Sequence, residues 1–277
     1  MRALIVHVPM GFSRDDWSHN YINIMPMGVL SVANHANRNG HHVKVMNTAV
    51  LGSRDEALES VLERIEKERF EVVGFTLHWH LAAYDVMFAV EQVKARAPAV
   101  ATVIGGSTAS IHARELMALG ASLDAVIQGD GEIPFARYLD EMSRGEEQRD
   151  LALVPNLHWR DPGSGHVAFT GLTHVANREQ ADSFDFGPAA LYGTRDYANG
   201  SSMFEAIRGD RTKTVEETIE DKWFFLNVGR GCNLNCIYCA GSRLAQERYF
   251  GRSEVVIRSV DAVVKTVRSA HEAGFVS

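Results

Sequence analysis

The chain has few cysteines, no long apolar run and no surplus of positive charge, and each shortage removes a class of protein. No stretch approaches 18 consecutive apolar residues, which excludes a spanning helix. The opening MRALIVHVPM is interrupted too soon for a secretory leader. Lysine and arginine number 28 against 35 aspartates and glutamates, a formal charge of −7. No basic field therefore invites nucleic acid or an anionic membrane. Nothing repeats, and no stretch is of low complexity. After the first strand there is no G-x-G-x-x-G, so a dinucleotide site is not expected. Only three cysteines occur, Cys232, Cys236 and Cys239, all within GRGCNLNCIYCAG from Gly229 to Gly241. The reading is a cytoplasmic, reducing location, where clustered thiols are more often metal ligands or redox groups than disulfides.

What is present reads as a strand–helix alternation of ordinary globular composition, 45% hydrophobic and 23% charged. Short apolar runs at 3–8, 43–47, 71–77, 100–104 and 123–128 read as strands. Helical spacing fills the gaps, at 27–39, behind Ser53, from about 82 to before Pro98, at 108–119 and at 133–142. Ser53 with Glu56 three residues on is a capping box. Five strands alternating with five helices predict an α/β fold with a doubly wound, Rossmann-like parallel sheet. Such a sheet binds ligands beyond the carboxyl ends of its strands, at the switch in strand order. Those ends are residues 9–20, 78–80, 105–107 and 129–132. His78-Trp79-His80 places two imidazoles on one side of an extended segment. It is read as the wall of a ligand pocket rather than a metal pair, since no third ligand lies nearby in sequence. His7 reads as a core histidine, and His158 and Trp159 as structural.

The phrases Pro26-Met27-Gly28-Val29-Leu30, Gly40-His41-His42-Val43, Val73-Gly74-Phe75-Thr76, Ile104-Gly105-Gly106-Ser107 and Asp124-Ala125-Val126-Ile127-Gln128-Gly129-Asp130-Gly131-Glu132 follow in order. That order resembles the cobalamin-binding domain found ahead of radical S-adenosylmethionine enzymes, over residues 1–145. The wider cobalamin-binding family supplies a cobalt-ligating histidine from D-x-H-x-x-G, and no such motif occurs here. Members attached to radical enzymes commonly lack it. The resemblance implies bound cobalamin, with His78, Trp79, Gly105, Gly106, Ser107, Gly129, Asp130, Gly131 and Glu132 as candidate contacts.

Residues 146–221 read as a connector. Two short strands at 156–160 and 166–170 flank a turn at 161–165, and a linker with some helix follows at 171–221. A sixth strand is expected at 223–228, with the cysteine loop leaving its carboxyl end. Ser259 is expected to cap a helix whose apolar face is Val260, Val263, Val264 and Val267, and Phe275-Val276 to open another strand. The plan is the first unit of a parallel β/α barrel over 222–277.

The spacing C-x3-C-x2-C resembles the signature of the radical S-adenosylmethionine superfamily. Three thiolates can hold three irons of a 4Fe–4S cluster, whereas most clusters take four. The resemblance implies that S-adenosylmethionine chelates the fourth iron, with Tyr238 and Gly241 among its contacts, and that the reduced cluster cleaves it to a 5′-deoxyadenosyl radical. Tetrahedral zinc wants a fourth ligand, and a C-x-x-C redox pair leaves Cys232 unexplained. The subfamily implies methyl transfer to an unactivated centre of a small-molecule or natural-product substrate, with a flavodoxin or ferredoxin as electron donor. Other radical chemistry with an unused cobalamin domain (cyclisation, rearrangement, sulfur insertion) is the alternative. A non-catalytic iron–sulfur or zinc module is the alternative from another class. A complete barrel runs to 200 residues or more, so the chain is expected to hold an incomplete barrel and to be inactive alone.

Overall fold

The computed structural model describes residues 1–8, 27–48, 51, 53–161, 163–192 and 224–275. The loop expected at 9–20, much of the linker at 171–221, Trp223 and Val276 lie outside the described residues.

Seven strands form one sheet. Its elements are β1 Arg2–His7, α1 Met27–Arg38, β2 His42–Asn47, α2 Arg54–Glu68, β3 Val72–Thr76, α3 Ala83–Arg96, β4 Ala101–Gly105, α4 Ser107–Ile111, α5 Ala113–Leu119, β5 Ala125–Ile127, α6 Glu132–Met142, β6 Leu157–Arg160 and β7 Val167–Phe169. Strand order is β2-β1-β3-β4-β5-β6-β7. The first five strands pair in parallel and the last two antiparallel. The chain therefore reverses direction across the sheet between β1 and β3, the switch point of a doubly wound fold.

Helices cover both faces because the strands are apolar on both sides. In β1, Ala3 and Ile5 pack toward α1 and α6, while Leu4 and Val6 pack toward α2, α3 and α5. Buried parallel strands read as continuous apolar runs for this reason. Ser53 caps α2 as its spacing predicts, accepting from the Glu56 amide at 3.2 Å. His7 is a buried core histidine, its Nδ1 2.9 Å from Thr76 Oγ1.

Three expectations change. The hairpin expected in the connector extends the main sheet, because β6 pairs with β5, Leu157 opposite Ile127. His158 stacks on Phe169 there, with ring centroids 3.7 Å apart. The strand expected at 223–228 is not one: residues 224–228 carry no strand, and only β8 (Gly229–Arg230) pairs, antiparallel, with β9 (Val256–Ile257). The parallel barrel unit expected over 222–277 is thus not what the described residues form. Phe275 is buried against Phe224, ring centroids 5.4 Å apart.

The third change concerns the last helices. After α7 (Arg178–Ser183) come α8 (Arg243–Phe250) and α9 (Val260–Glu272). Ser259 caps α9 as expected, accepting from the Ala262 amide at 3.3 Å. Its buried face, however, is Ala262, Thr266 and Ala270, and Val260 is left 77% exposed. A Cβ on Gly187 would lie 2.3 Å from Ser269 Oγ. The Gly187 backbone thus passes close against Ser269 of α9. No helix among the described residues is long and apolar enough to cross a membrane.

Candidate functional site

The switch point opens into a cleft of about 540 Å³, within the range of small-molecule and cofactor sites. Its floor is the sheet face at Ile5, Gly74, Val103 and Ile127. Val29 and Val32 of α1 and Phe135 of α6 wall one side. The strand-end loops contribute His78, Gly105, Gly106, Ser107, Gly129, Asp130, Gly131 and Glu132. The opposite rim comes from the cysteine-bearing segment: Phe225, Asn227, Arg230, Gly231, Gln246, Phe250 and Arg252. Eight of the nine residues predicted as cobalamin contacts thus meet in one cleft. Trp79 does not line it; it packs edge-on against His78, centroids 5.1 Å apart.

The loops close on the sheet through backbone that only glycine supplies. Gly106 has φ +117, and a Cβ there would lie 2.6 Å from the Leu77 carbonyl. That approach lets the Leu77 carbonyl accept from the Thr108 and Ala109 amides at 3.1 and 3.2 Å. Ser107 and Thr108 hydroxyls then both donate to the His78 carbonyl at 2.9 Å. Ser107 Oγ also lies 3.1 Å from His78 Nδ1. Burial lowers the His78 pKa, keeping its imidazole neutral near pH 7.

Asp130 and Glu132 take a different role from the one expected. Glu132 is 1% exposed, and its carboxylate pairs with Arg230, whose Nη1 is 3.0 Å from Oε2, and with the Ser31 hydroxyl. Asp130 accepts from Arg230 at 3.0 Å, from Arg252, and from the Ala176 amide at 2.8 Å. Two carboxylates face two guanidiniums, so this buried group is neutral overall. Burial works against the Glu132 charge, yet Arg230 and the bonds from Arg230 and Ser31 hold its carboxyl below the ordinary range. Arg230 spans 98 residues to fasten the cysteine segment to α6. Sequence reasoning missed Arg252 and Ser31 altogether, because contacts of this separation leave no local signal.

The three thiols lie outside the cleft wall, beginning one residue beyond its rim at Gly231. Gly231 has φ +92, and a Cβ there would meet the Glu254 carbonyl at 2.8 Å. Cys232 and Cys236 are partly exposed and Cys239 exposed. Cys232 Sγ accepts from the Leu234 amide and Cys239 Sγ from the Gly241 amide, each at 3.4 Å. Gly241 therefore packs beside Cys239, while Tyr238 stands 89% exposed. Among the described residues no three His, Cys, Asp or Glu side chains converge on a single metal ion.

Comparison with known proteins converges on the same region. Residues 22–139 match the family described as B12 binding domain. Over 146 residues, 52% of this chain and 27% of the relative, the sequence is 27% identical to a hopanoid C-3 methylase of Methylococcus capsulatus. Over 229 residues, 82% of this chain and 43% of the relative, it is 23% identical to an uncharacterized methyltransferase of Pyrococcus horikoshii. The chain spans less than half the length of either relative. The residues that match the B12 binding domain, 22–139, take in α1, β2 to β5 and most of α6, and with them the strand-end loops that line the cleft.

Proposed function

We propose that this protein is a cobalamin-dependent methyltransferase of the radical S-adenosylmethionine class, with cobalamin held in the switch-point cleft. The observation that carries the reading is the cleft's composition: a sheet edge matching a B12-binding domain forms one wall, and the approach to Cys232 forms the other. Two relatives named as a methylase and a methyltransferase support the reaction class.

The residues present fit a large, partly apolar cofactor. Gly74 leaves open the floor between Ile5 and Val103, whose Cγ1 atoms would each lie 3.6 Å from a Cβ placed there. Gly105, Gly106, Ser107, Gly129 and Gly131 offer backbone at the rim. Phe225 and Phe250 supply apolar surface that keeps water from the far wall.

The cysteine segment fits a cubane better than a single ion. In a 4Fe–4S cluster each thiolate binds its own iron, so the sulfurs need not converge. When bound, cobalamin would supply the methyl carrier and the cluster the electron that cleaves S-adenosylmethionine. The chain's own part is to place the two groups side by side, which Arg230 does by tying the segment to Asp130 and Glu132. The substrate class is a small molecule, and the electron donor a flavodoxin or ferredoxin.

Titration of the full chain with hydroxocobalamin tests the cofactor: a saturable shift of its visible spectrum is expected, and none refutes the reading. Mössbauer spectroscopy after anaerobic reconstitution with iron and sulfide tests the second part. A 4Fe–4S spectrum with one iron made distinct by added S-adenosylmethionine is expected. Recovery of zinc alone, or of no metal, would assign the cysteines to a non-catalytic module.

A further inference from the structure

We propose that Asp130 is the positioning residue of the cysteine segment: its one carboxylate holds both ends of residues 230–252, and with them the three thiols, against the cleft. The inference rests on the reading of two adjacent cofactors and deepens it, since it names what sets one site relative to the other.

The two oxygens of Asp130 serve different ends. Oδ1 accepts from Arg230 Nη1 at 3.0 Å, two residues before Cys232. Oδ2 accepts from Arg252 Nη2, two residues after α8, and from the Ala176 amide at 2.8 Å. The side chains of Asp130 and Arg252 are 10% and 3% exposed, which strengthens their attraction. Glu132 does not duplicate this hold, because its bonds reach Arg230 and Ser31, at one end of the segment only. An amide in place of the carboxylate would keep one acceptor and turn an N–H group on the other guanidinium.

The turn before Asp130 follows the end of the segment residue by residue. Gln128 Nε2 donates to the Tyr249 carbonyl at 2.9 Å. Gly129 faces Phe250, whose carbonyl oxygen would lie 3.5 Å from a Cβ placed there. Asp130 then takes Arg252.

A hold at Arg252 reaches the thiols through a run of backbone hydrogen bonds. Gly251 ends α8 with φ +68, and the Arg252 amide donates to the Gln246 carbonyl at 3.0 Å, so the helix end sets the place of Arg252. At the start of α8 the Arg243 amide donates to the Leu234 carbonyl at 2.8 Å. The Ser242 amide donates to the Cys239 carbonyl, and the Cys239 amide to the Cys236 carbonyl, each at 3.1 Å. Displacing Arg252 therefore carries the loop with it, while Arg230 fixes where the loop begins.

Distances between spin labels test the hold without either cofactor. The full chain carries Cys232→Ala, Cys236→Ala and Glu91→Cys. Nitroxides on the exposed Cys239 and at position 91, on the exposed face of α3, report where the loop stands relative to the sheet. Pulsed electron paramagnetic resonance should give one narrow distance distribution in this chain and a broad one after Asp130→Asn. Arg252→Gln frees one end alone, should also broaden the distribution, and carries the test if Asp130→Asn does not fold. A broad distribution in the parent overturns the proposal. So does a distribution as narrow as the parent's in either variant that circular dichroism shows to be folded. The reading of adjacent cofactors fails separately. A reconstituted full chain that holds hydroxocobalamin and a 4Fe–4S cluster, yet shows no spin coupling between cob(II)alamin and the reduced cluster, would remove that reading and leave the hold of Asp130 standing.

Discussion

Arg230 Nη1 lies 3.0 Å from Asp130 Oδ1 and 3.0 Å from Glu132 Oε2, joining the residue two places before Cys232 to the turn that opens α6. The contact decides where the cysteine loop begins relative to the sheet. It is a charge pairing largely withdrawn from solvent. Burial disfavours the guanidinium charge, but the two carboxylates outweigh it and raise the Arg230 pKa.

Glu132→Gln removes one negative charge and leaves Arg230 buried with Asp130 alone. Breaking a buried pair from one side costs about 3–5 kcal/mol. Urea unfolding should show a loss of that order, with limited proteolysis cutting the cysteine segment sooner than in the parent. Stability within error of the parent would show that the pairing contributes little.

Gly74 leaves the cleft floor open between Ile5 and Val103. Gly74→Ala adds a methyl group at ordinary contact distance from Ile5 and Val103 and should bind hydroxocobalamin as the parent does. Gly74→Leu projects into the cleft, and its affinity should fall by about tenfold or more, at least ~1.4 kcal/mol. Circular dichroism should show both variants folded. Equal affinity for the two would mean that the cofactor does not reach the sheet face.

Acid should destabilise the fold through two histidines before any carboxylate acts. Burial lowers His7 to about 3, with His78 adding to the shift, and lowers His158 to about 4, helped by Arg114. Both pKa values lie below that of the unfolded chain, so the unfolded state binds more protons below about pH 6.5. Their contribution is whole above that pH and is lost as pH falls toward about 4 and then 3. Each group should give a slope of about 1.4 kcal/mol per pH unit within its window. Glu132, also held low, gives stability that is present above the ordinary carboxylate range and disappears as pH falls through its depressed value. Urea midpoints at pH 7, 6 and 5 read the histidine part, and His7→Asn should flatten the slope by one proton. A pH-independent midpoint would refute the assignment.

The cysteines contribute donors rather than packing. They sit exposed or partly exposed on a loop, so Cys232→Ala, Cys236→Ala and Cys239→Ala should each stay within about 0.5 kcal/mol of the parent. Each should lose the iron and sulfide taken up on reconstitution. In the parent, thiol alkylation should be fast before reconstitution and blocked after it. Iron retained by any single variant would remove that thiol from the ligand set.

Much of the architecture was legible in the chain. Apolar runs separated by helical spacing fixed β1 to β5 and their helices, Ser53 and Ser259 marked helix starts, and strand-end glycines marked the loops that line the cleft. These are local properties: a strand or a cap depends on residues a few positions apart. The three thiols and their spacing are equally local, and so is the chemistry they invite.

Other features depended on packing across the chain. Val260, Val264 and Val267 carry a helical apolar period, yet α9 buries Ala262, Thr266 and Ala270. Residues 224–228 look like a strand but pair with no strand among the described residues, while the hairpin pairs with β5. Asp130 and Glu132 stand among loop residues suited to a ligand, and only the arrival of Arg230 and Arg252 from 98 to 122 residues away turned them inward. The sequence by itself determined β1 to β5, the helices between them and where the thiol donors cluster. Tertiary structure alone decided which surfaces are buried and which charges meet, because desolvation and pairing act between groups that sequence spacing does not relate.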